Sequence, residues 1–593
     1  MTLWLLVSVP LVLGSALLVA GRRADRFAPV TAIAAAVACL LLASFAAYTR
    51  PAVSAPFLEG ISFGLEVDGL SAVMVLTVAV VLVAVLVFAA GEMGRQARFF
   101  GLMLLFAGAM LVTVTATTMV SLLMAWEVMG ATSYALIAYW WRDEHRVESG
   151  NIAFLTTRAA DLGLYLAAGA VLAGGAGGLA LADLPQLTPG WRDVAAAGIV
   201  LAALGKSAQL PFSFWLSRAM DGPSPVSALL HSATMVAAGA YLLLRLEPLL
   251  AATAWAAVVV AWVGAVTALL LGAVAVVQRD LKQLLAASTC AQVGFMVLAA
   301  GVGGVTAGSA HLMAHAATKS LLFLCAGAWL TALGTKDLSA LRGAARRYRV
   351  VGLSFAVGAL TLAGAPPLSI WVTKDAVLAD ALRASLPLYL AGLAAAVMSG
   401  LYAGRALWLV WTGDSASDAP SVPRALVWPL PVLAAAAAVL GIPLLGRAVA
   451  WELAVSGVLA VLAVALAIKL TQQGDRLASS TGVLADWLGL ELFARRAVVM
   501  PTLAVAGWLA RFDDHVVAGS VRTSAAIGSA TARVASLRID VSLDRVVTGV
   551  TENARRLGRL ARRPQTGQLH HYYAQAVVVL ALLATLLIIA GRG

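Results

Sequence analysis

The chain has 593 residues, 61% of them hydrophobic and only 12% charged, with a formal net charge of +12. An ordinary globular chain carries about 25% charged residues, so a soluble multidomain protein is excluded and the recurring apolar runs indicate a membrane protein. The excess positive charge has no aromatic interleaving in a polar domain, so it argues for basic loops beside anionic lipid and against nucleic acid.

A helix needs about 20 residues to cross a hydrocarbon core of roughly 30 Å. Runs of that length argue for helices and against a barrel, whose strands are shorter and alternate. About 16 such runs follow one another, centred near residues 11, 38, 79, 108, 130, 163, 206, 237, 265, 292, 319, 366, 398, 436, 461 and 581. The first carries its arginines after the apolar run, so it reads as a retained helix and not a signal peptide. Numbered from the first helix, and leaving aside the long last connection, odd loops carry about 16 Lys and Arg and even loops about 5. The heaviest is TKDLSALRGAARRYR, residues 335–349. Odd loops are therefore expected to face the cytoplasm, with both termini on the other side. Cys39, Cys290 and Cys325 are scattered in apolar segments without paired spacing; they suit small core residues better than a disulfide or metal framework.

Ionisable residues near span centres cost a few kcal/mol each and need a reason. Glu127 lies inside SLLMAWEVMGATSYALIAYWW, and Arg158 and Asp161 follow in AFLTTRAADLGLYL. Three residues apart, Arg158 and Asp161 can pair on one helix face. Lys206 lies in LAALGKSAQLPFSFWL, with Pro211 five residues on. The proline breaks the helix and frees carbonyls, which is tolerated where the backbone is buried in protein or lines a cavity. A desolvated lysine there can exchange a proton; the plain alternative is snorkelling to the interface. His231, with Ser232 and Thr234, can pass a proton either way or be a hydrogen-bonded core residue.

His311, His315 and Lys319 are spaced i, i+4, i+8. Each step of four drifts only about 40° around a helix, so all three share a face. Two histidines at i, i+4 can chelate a metal, but the lysine one turn on repels a cation and no acidic residue is near in sequence, so no metal is expected. Pro366 and Pro367 then break another span, with Lys374 and Asp375 after them. Lysine before proline in one half and proline before lysine in the other is the pattern of an inverted repeat.

The last connection, from about Leu484 to Arg563, is long and amphipathic. Leu543, Val546, Val547, Val550, Ala554, Leu557 and Leu560 fall near one face, with Arg545, Arg555, Arg556 and Arg559 mostly elsewhere. Pro501 is expected to break or kink it. A continuous helix of about 60 residues beyond Pro501 reaches roughly 90 Å and must lie along something; the alternative is several short helices broken at Gly519, Gly528 and Gly549.

MAWEVMGATSYALIAYW, TTRAADLGL, GKSAQLPFSFWLSRAMDGPSPVSALLHSATMVAAGAYLL, DLKQLLAASTCAQVGFM, HLMAHAATKSLLFLCAG and TKDAVL, in that order, resemble the antiporter-like subunits of respiratory complex I and of the Mrp cation/proton antiporters. The C-terminal part resembles the lateral helix and final span of the largest such subunit, the NuoL type, whereas the Mrp large subunit is expected to continue beyond such a span. The resemblance implies an all-α integral membrane protein of two inverted repeats with broken helices and a lateral helix. It divides the chain into N-terminal helices (1–95), first repeat (96–250), second repeat (251–412), additional helices (413–480), lateral helix (481–563) and final span (564–593).

Carried over residue by residue, Glu127 and Lys206 resemble the glutamate–lysine pair of a first half-channel, His231 the bridging histidine, His311, His315 and Lys319 the central relay, and Lys374 beside Asp375 the lysine of a second half-channel. The resemblance implies a proton-translocating subunit of a NADH-quinone oxidoreductase, without cofactor of its own, in a bacterial-type inner membrane. Its partners would be other membrane subunits, met partly through the lateral helix, and lipid. A cation/proton antiporter or ion-coupled uptake subunit without redox coupling is the alternative. A structural anchor without transport is disfavoured, because it gains nothing from buried lysines and histidines.

Overall fold

The structure, a computed structural model, describes all residues except 59, 176–177, 414–420, 448, 480–481, 537–543, 563–567 and 591–593. The N-terminal helices are α1 (Thr2–Ala20), α2 (Ala28–Thr49) and α3 (Gly69–Glu92). Then come α4 (Ala97–Thr115), α5 (Met119–Ile137), α6 (Glu144–Ala173), α7 (Pro189–Lys206), α8 (Phe214–Ala219), α9 (Ser224–Leu230), α10 (Met235–Arg245) and α11 (Glu247–Ala252). The next set is α12 (Ala254–Val277), α13 (Leu281–Gly301), α14 (Val305–Leu333), α15 (Ala344–Arg347), α16 (Arg349–Ala363), α17 (Ser369–Ala384) and α18 (Leu386–Trp411). Last in the main body are α19 (Arg424–Val427), α20 (Pro429–Val439) and α21 (Ala450–Gln472).

Helix starts are chemically marked. Asp68 and Ser71 form a reciprocal capping box at α3, each accepting from the other's backbone N–H at 2.7 Å, and Thr118 with Ser121 does the same at α5. Such caps satisfy donors that the helix itself leaves open. The departure from pure helix is an antiparallel hairpin, β1 (Ala52–Leu58) and β2 (Ile61–Glu66), in the second loop.

Among the described residues, fourteen helices are long and apolar enough to cross a membrane. All but Trp487–Ala535 coincide with an expected span centre. The other expected centres fall on α6, at the end of α7, and between α16 and α17. Those last two are the broken helices. At the first break, the indole N–H of Trp215 donates to the Gly205 carbonyl at 2.9 Å and the Leu210 N–H to Thr267 Oγ1 at 3.2 Å. The Ser207 carbonyl, four residues before Pro211, accepts from the Gln209 side-chain amide at 2.9 Å, so side chains satisfy the backbone at this break. At the second, Gly364 adopts φ +81°, and the Gly441 N–H donates to Ser369 Oγ at 2.9 Å. A third interruption, 231–234, separates α9 from α10.

Contacts divide the chain into Met1–Leu490 with Leu587–Gly593, and Glu491–Leu586. From Leu490 on, α22 (Leu490–Ala494), a π-turn (Arg495–Val499), α23 (Met500–Phe512), a second π-turn (Asp513–Val517) and α24 (Ala518–Ser536) follow without a gap; α25 (Asp544–Arg562) and α26 (Leu569–Ala590) come after. The expected break at Pro501 is therefore corrected. Pro501 sits in the first turn of α23, directly after the π-turn, where widened backbone absorbs its missing N–H. Gly519 and Gly528 lie inside α24 and Gly549 inside α25, so none of the three ends a helix. Leu543 and the 537–543 join lie outside the described residues.

Candidate functional site

The chemistry-bearing side chains lie on α5–α7, the 231–234 interruption, α14 and α17. Helices α6 and α7 approach through small residues. A Cβ on Gly163 would meet the Gly198 carbonyl at 2.3 Å, and one on Gly205 would meet Ala160 Cβ at 2.2 Å. That contact sets the next residue of each helix side by side: Lys206 Nζ lies 2.9 Å from Asp161 Oδ2, both buried. The second carboxylate oxygen accepts from the indole N–H of Trp126 at 2.7 Å, and the ammonium lies over that ring at 5.2 Å.

The ion pairs are therefore exchanged relative to the expectation. Glu127 does not pair with Lys206, and Arg158 does not pair with Asp161. Instead Arg158 bonds Glu127, with side chains 34% and 24% exposed, and Tyr165 donates to the same carboxylate at 2.9 Å. Arg158 stays at the partly exposed edge, while Asp161 turns into the contact with α7.

Helix α14 holds His311, His315 and Lys319 fully buried and is fastened to both broken regions. His311 Nδ1 lies 3.0 Å from Thr373 Oγ1, the residue before Lys374. About two and a half turns further on, Ser320, which follows Lys319, shares a 2.9 Å hydrogen bond with Ser232, which follows His231. Lys319 Nζ donates to the Leu285 carbonyl at 2.9 Å and to Ser288 Oγ. Among the described residues, no carboxylate pairs with Lys319. Both ring nitrogens of His231 and of His315, and Nε2 of His311, lack a protein partner. Buried polar atoms of this kind are usually satisfied by ordered water.

Lys374 lies across its own break, 3.5 Å from the Leu362 carbonyl and 5.4 Å from the Phe295 ring. With Asp375, Trp371, Gly364 and Ser456 it lines a small pocket. Pro211, Pro366 and Pro367 all lie in non-helical backbone. Sequence reasoning missed Trp126, Ser288, Thr373 and Ser320, ordinary residues whose roles come from neighbours distant in sequence. It also missed Glu452, which has one buried carboxylate oxygen without a protein partner. Lys282 and Glu92 were passed over because they stand at helix ends, where charge is ordinary.

A sequence family described as NADH:quinone oxidoreductase/Mrp antiporter, TM, matches residues 116–399. The chain is 35% identical over 375 residues to NAD(P)H-quinone oxidoreductase chain 5 of Picosynechococcus sp., covering 60% of this chain and 56% of that one. It is 35% identical over 468 residues to NADH-quinone oxidoreductase subunit L of Mycobacterium tuberculosis, covering 73% of each. The chain thus spans less than two thirds of the first relative's length. Among solved structures it resembles a chain of the Mrp complex from Dietzia sp. (TM-score 0.75, 26% identity, 91% of this chain and 63% of that one). It also resembles a chain of respiratory complex I from Thermus thermophilus with bound NADH (TM-score 0.68, 25% identity, 78% of this chain and 100% of that one).

Proposed function

This chain belongs to the NADH-quinone oxidoreductase subunit L family, and on that premise we propose that it carries protons across a bacterial-type cell membrane as one subunit of a complex I-like assembly. Redox energy is released elsewhere in the assembly; this chain contributes the route and no redox cofactor. One observation carries the reading: α14, with its row of buried titratable side chains, is tied through His311 to the helix of Lys374 and through Ser320 to the segment of His231.

In this reading Asp161 holds the charge of Lys206, and a change in the Glu127–Arg158 pair alters the field that both feel. When the hold weakens, Lys206 releases its proton. His231 accepts and passes it, Lys319 is the central station, and His315 and His311 lead on to Lys374 and Asp375. Each charge moved against about 100 mV needs roughly 2.3 kcal/mol, which the assembly supplies through these charge displacements. The repeats are assigned to 96–250 and 251–412. The basic odd loops face the cytoplasm, both termini lie opposite, and the 481–563 segment lies along neighbouring membrane subunits.

The test is Lys319→Ala in the intact assembly. Proton translocation in vesicles is expected to fall at least about tenfold, with the assembly unchanged on native gels. Normal translocation rules the relay out. A second reading, a cation/proton antiporter subunit of the Mrp type, is favoured by the wider match to the Mrp chain, 91% of this sequence against 78% for complex I. Redox subunits co-purifying with the chain support the first reading; small antiporter subunits without them support the second.

A further inference from the structure

A second group of buried polar side chains stands apart from this line, at the end of the bundle that carries the odd loops. Lys282, near the start of α13, is 3% exposed and donates to the Gly222 carbonyl at 2.9 Å. Asp221 directly precedes that carbonyl's residue, and Glu92, the last residue of α3, meets the Ser224 N–H two residues beyond it. Asp221 accepts from Ser149 at 2.7 Å and meets His145 Nε2 at 3.3 Å, and the His145 side chain is 63% exposed. The group therefore reaches the outside.

It also reaches inward. Glu92 Oε1 accepts from the Ser224 N–H, the first of α9, at 3.4 Å, while Oε2 is buried with no protein partner. Helix α9 packs between α3 and α14. Ser224, Ser227 and His231 follow at i, i+3, i+7 on one face. Both His231 nitrogens have no partner in the protein. On α14, Gly327 faces the top of this row: a Cβ there would lie 2.6 Å from Ser224 Cβ and 3.1 Å from its hydroxyl. Among the described residues no hydrogen bond joins Glu92 to Lys282, unlike the closed pair of Asp161 and Lys206.

We propose that Glu92 and Lys282 form the loading site through which protons enter the buried line from the odd-loop side, passing along the Ser224–Ser227 face to His231. The inference rests on the proton-translocation reading. In the step, water at the mouth protonates the Glu92 carboxylate, with Lys282 as counter-charge. The proton leaves through hydroxyls and water, each accepting one proton and releasing one. A free ring nitrogen of His231 takes it, and Glu92 returns to the carboxylate.

Vesicles holding the intact assembly with Glu92→Gln, Glu92→Asp or Lys319→Ala test this. Glutamine keeps the shape and the acceptor for Ser224 but cannot carry a proton. Glu92→Gln is expected to lower translocation at least about tenfold in a fully assembled complex, Glu92→Asp to restore most of it, and Glu92→Gln to remove a protonated-carboxyl band from infrared difference spectra. Wild-type translocation in Glu92→Gln beside a clear loss in Lys319→Ala overturns the loading site and leaves the relay standing. Failure of Glu92→Asp to rescue, with the infrared band retained in Glu92→Gln, makes Glu92 structural and also overturns it. Wild-type rates in both Glu92→Gln and Lys319→Ala remove the translocation reading itself.

Discussion

Asp161 is the carboxylate on which the first lysine depends. It accepts from Lys206 and from Trp126 while buried, whereas Glu127 meets Arg158 and Tyr165 at a partly exposed edge. Removing one member of a buried pair strands the other's charge, at about 3–5 kcal/mol. Asp161→Asn should therefore lower the thermal unfolding temperature in detergent clearly, and adding Lys206→Met should recover most of the loss. Glu127→Gln should cost less, since its partner keeps some exposure. Equal losses in Asp161→Asn and Glu127→Gln would contradict the pairing. The charges themselves were legible in the sequence as ionisable groups in an apolar solvent. Their partners were not, because i, i+3 spacing says which residues share a face but not which faces meet.

At the scale of helices, the α6–α7 contact decides where that pair forms. Gly163 and Gly198 bring the backbones so close that a Cβ on Gly198 would lie 2.2 Å from the Gly163 carbonyl. Small residues drive such contacts in membranes, where apolar side chains gain nothing by leaving lipid. Gly198→Leu should push the helices apart, lower thermal stability and reduce translocation, although no charge is touched. Stability and rates like wild type would refute the close contact as the positioning element. In the bundle, proline marks non-helical backbone at Pro211, Pro366 and Pro367. It misled at 501, where the preceding π-turn places it at a helix start.

For the whole molecule, sidedness is the property the proposed route depends on. Glu92, His145, Asp221, Lys282 and Lys336 all belong to the end with the odd loops, and the loops before α13 and after α14 are joined by the Leu281 N–H donating to the Lys336 carbonyl at 2.8 Å. Arg346 in loop 335–349 and Ser54 in the hairpin are both exposed, and the three native cysteines are buried. Arg346→Cys should react with an impermeant thiol reagent only from the cytoplasmic side and Ser54→Cys only from the other. The reverse pattern would invert the orientation, and labelling of both from one side would break the odd–even count. In the second unit, α23 and α24 leave Leu503, Val521 and Ile527 more than half exposed.

By itself the sequence determined the helical membrane class, the approximate places of most spans, the prolines at two breaks, and which ionisable residues lie within apolar segments. Those properties follow from run length, proline chemistry and the cost of charge in hydrocarbon, all local along the chain. Only the tertiary structure decided that Lys206 pairs with Asp161, that α14 meets Thr373 through His311 and Ser232 through Ser320, and that Glu92 reaches the Ser224 N–H two residues from the Gly222 carbonyl that Lys282 holds. Each depends on which helix faces meet, and periodicity carries no information about that.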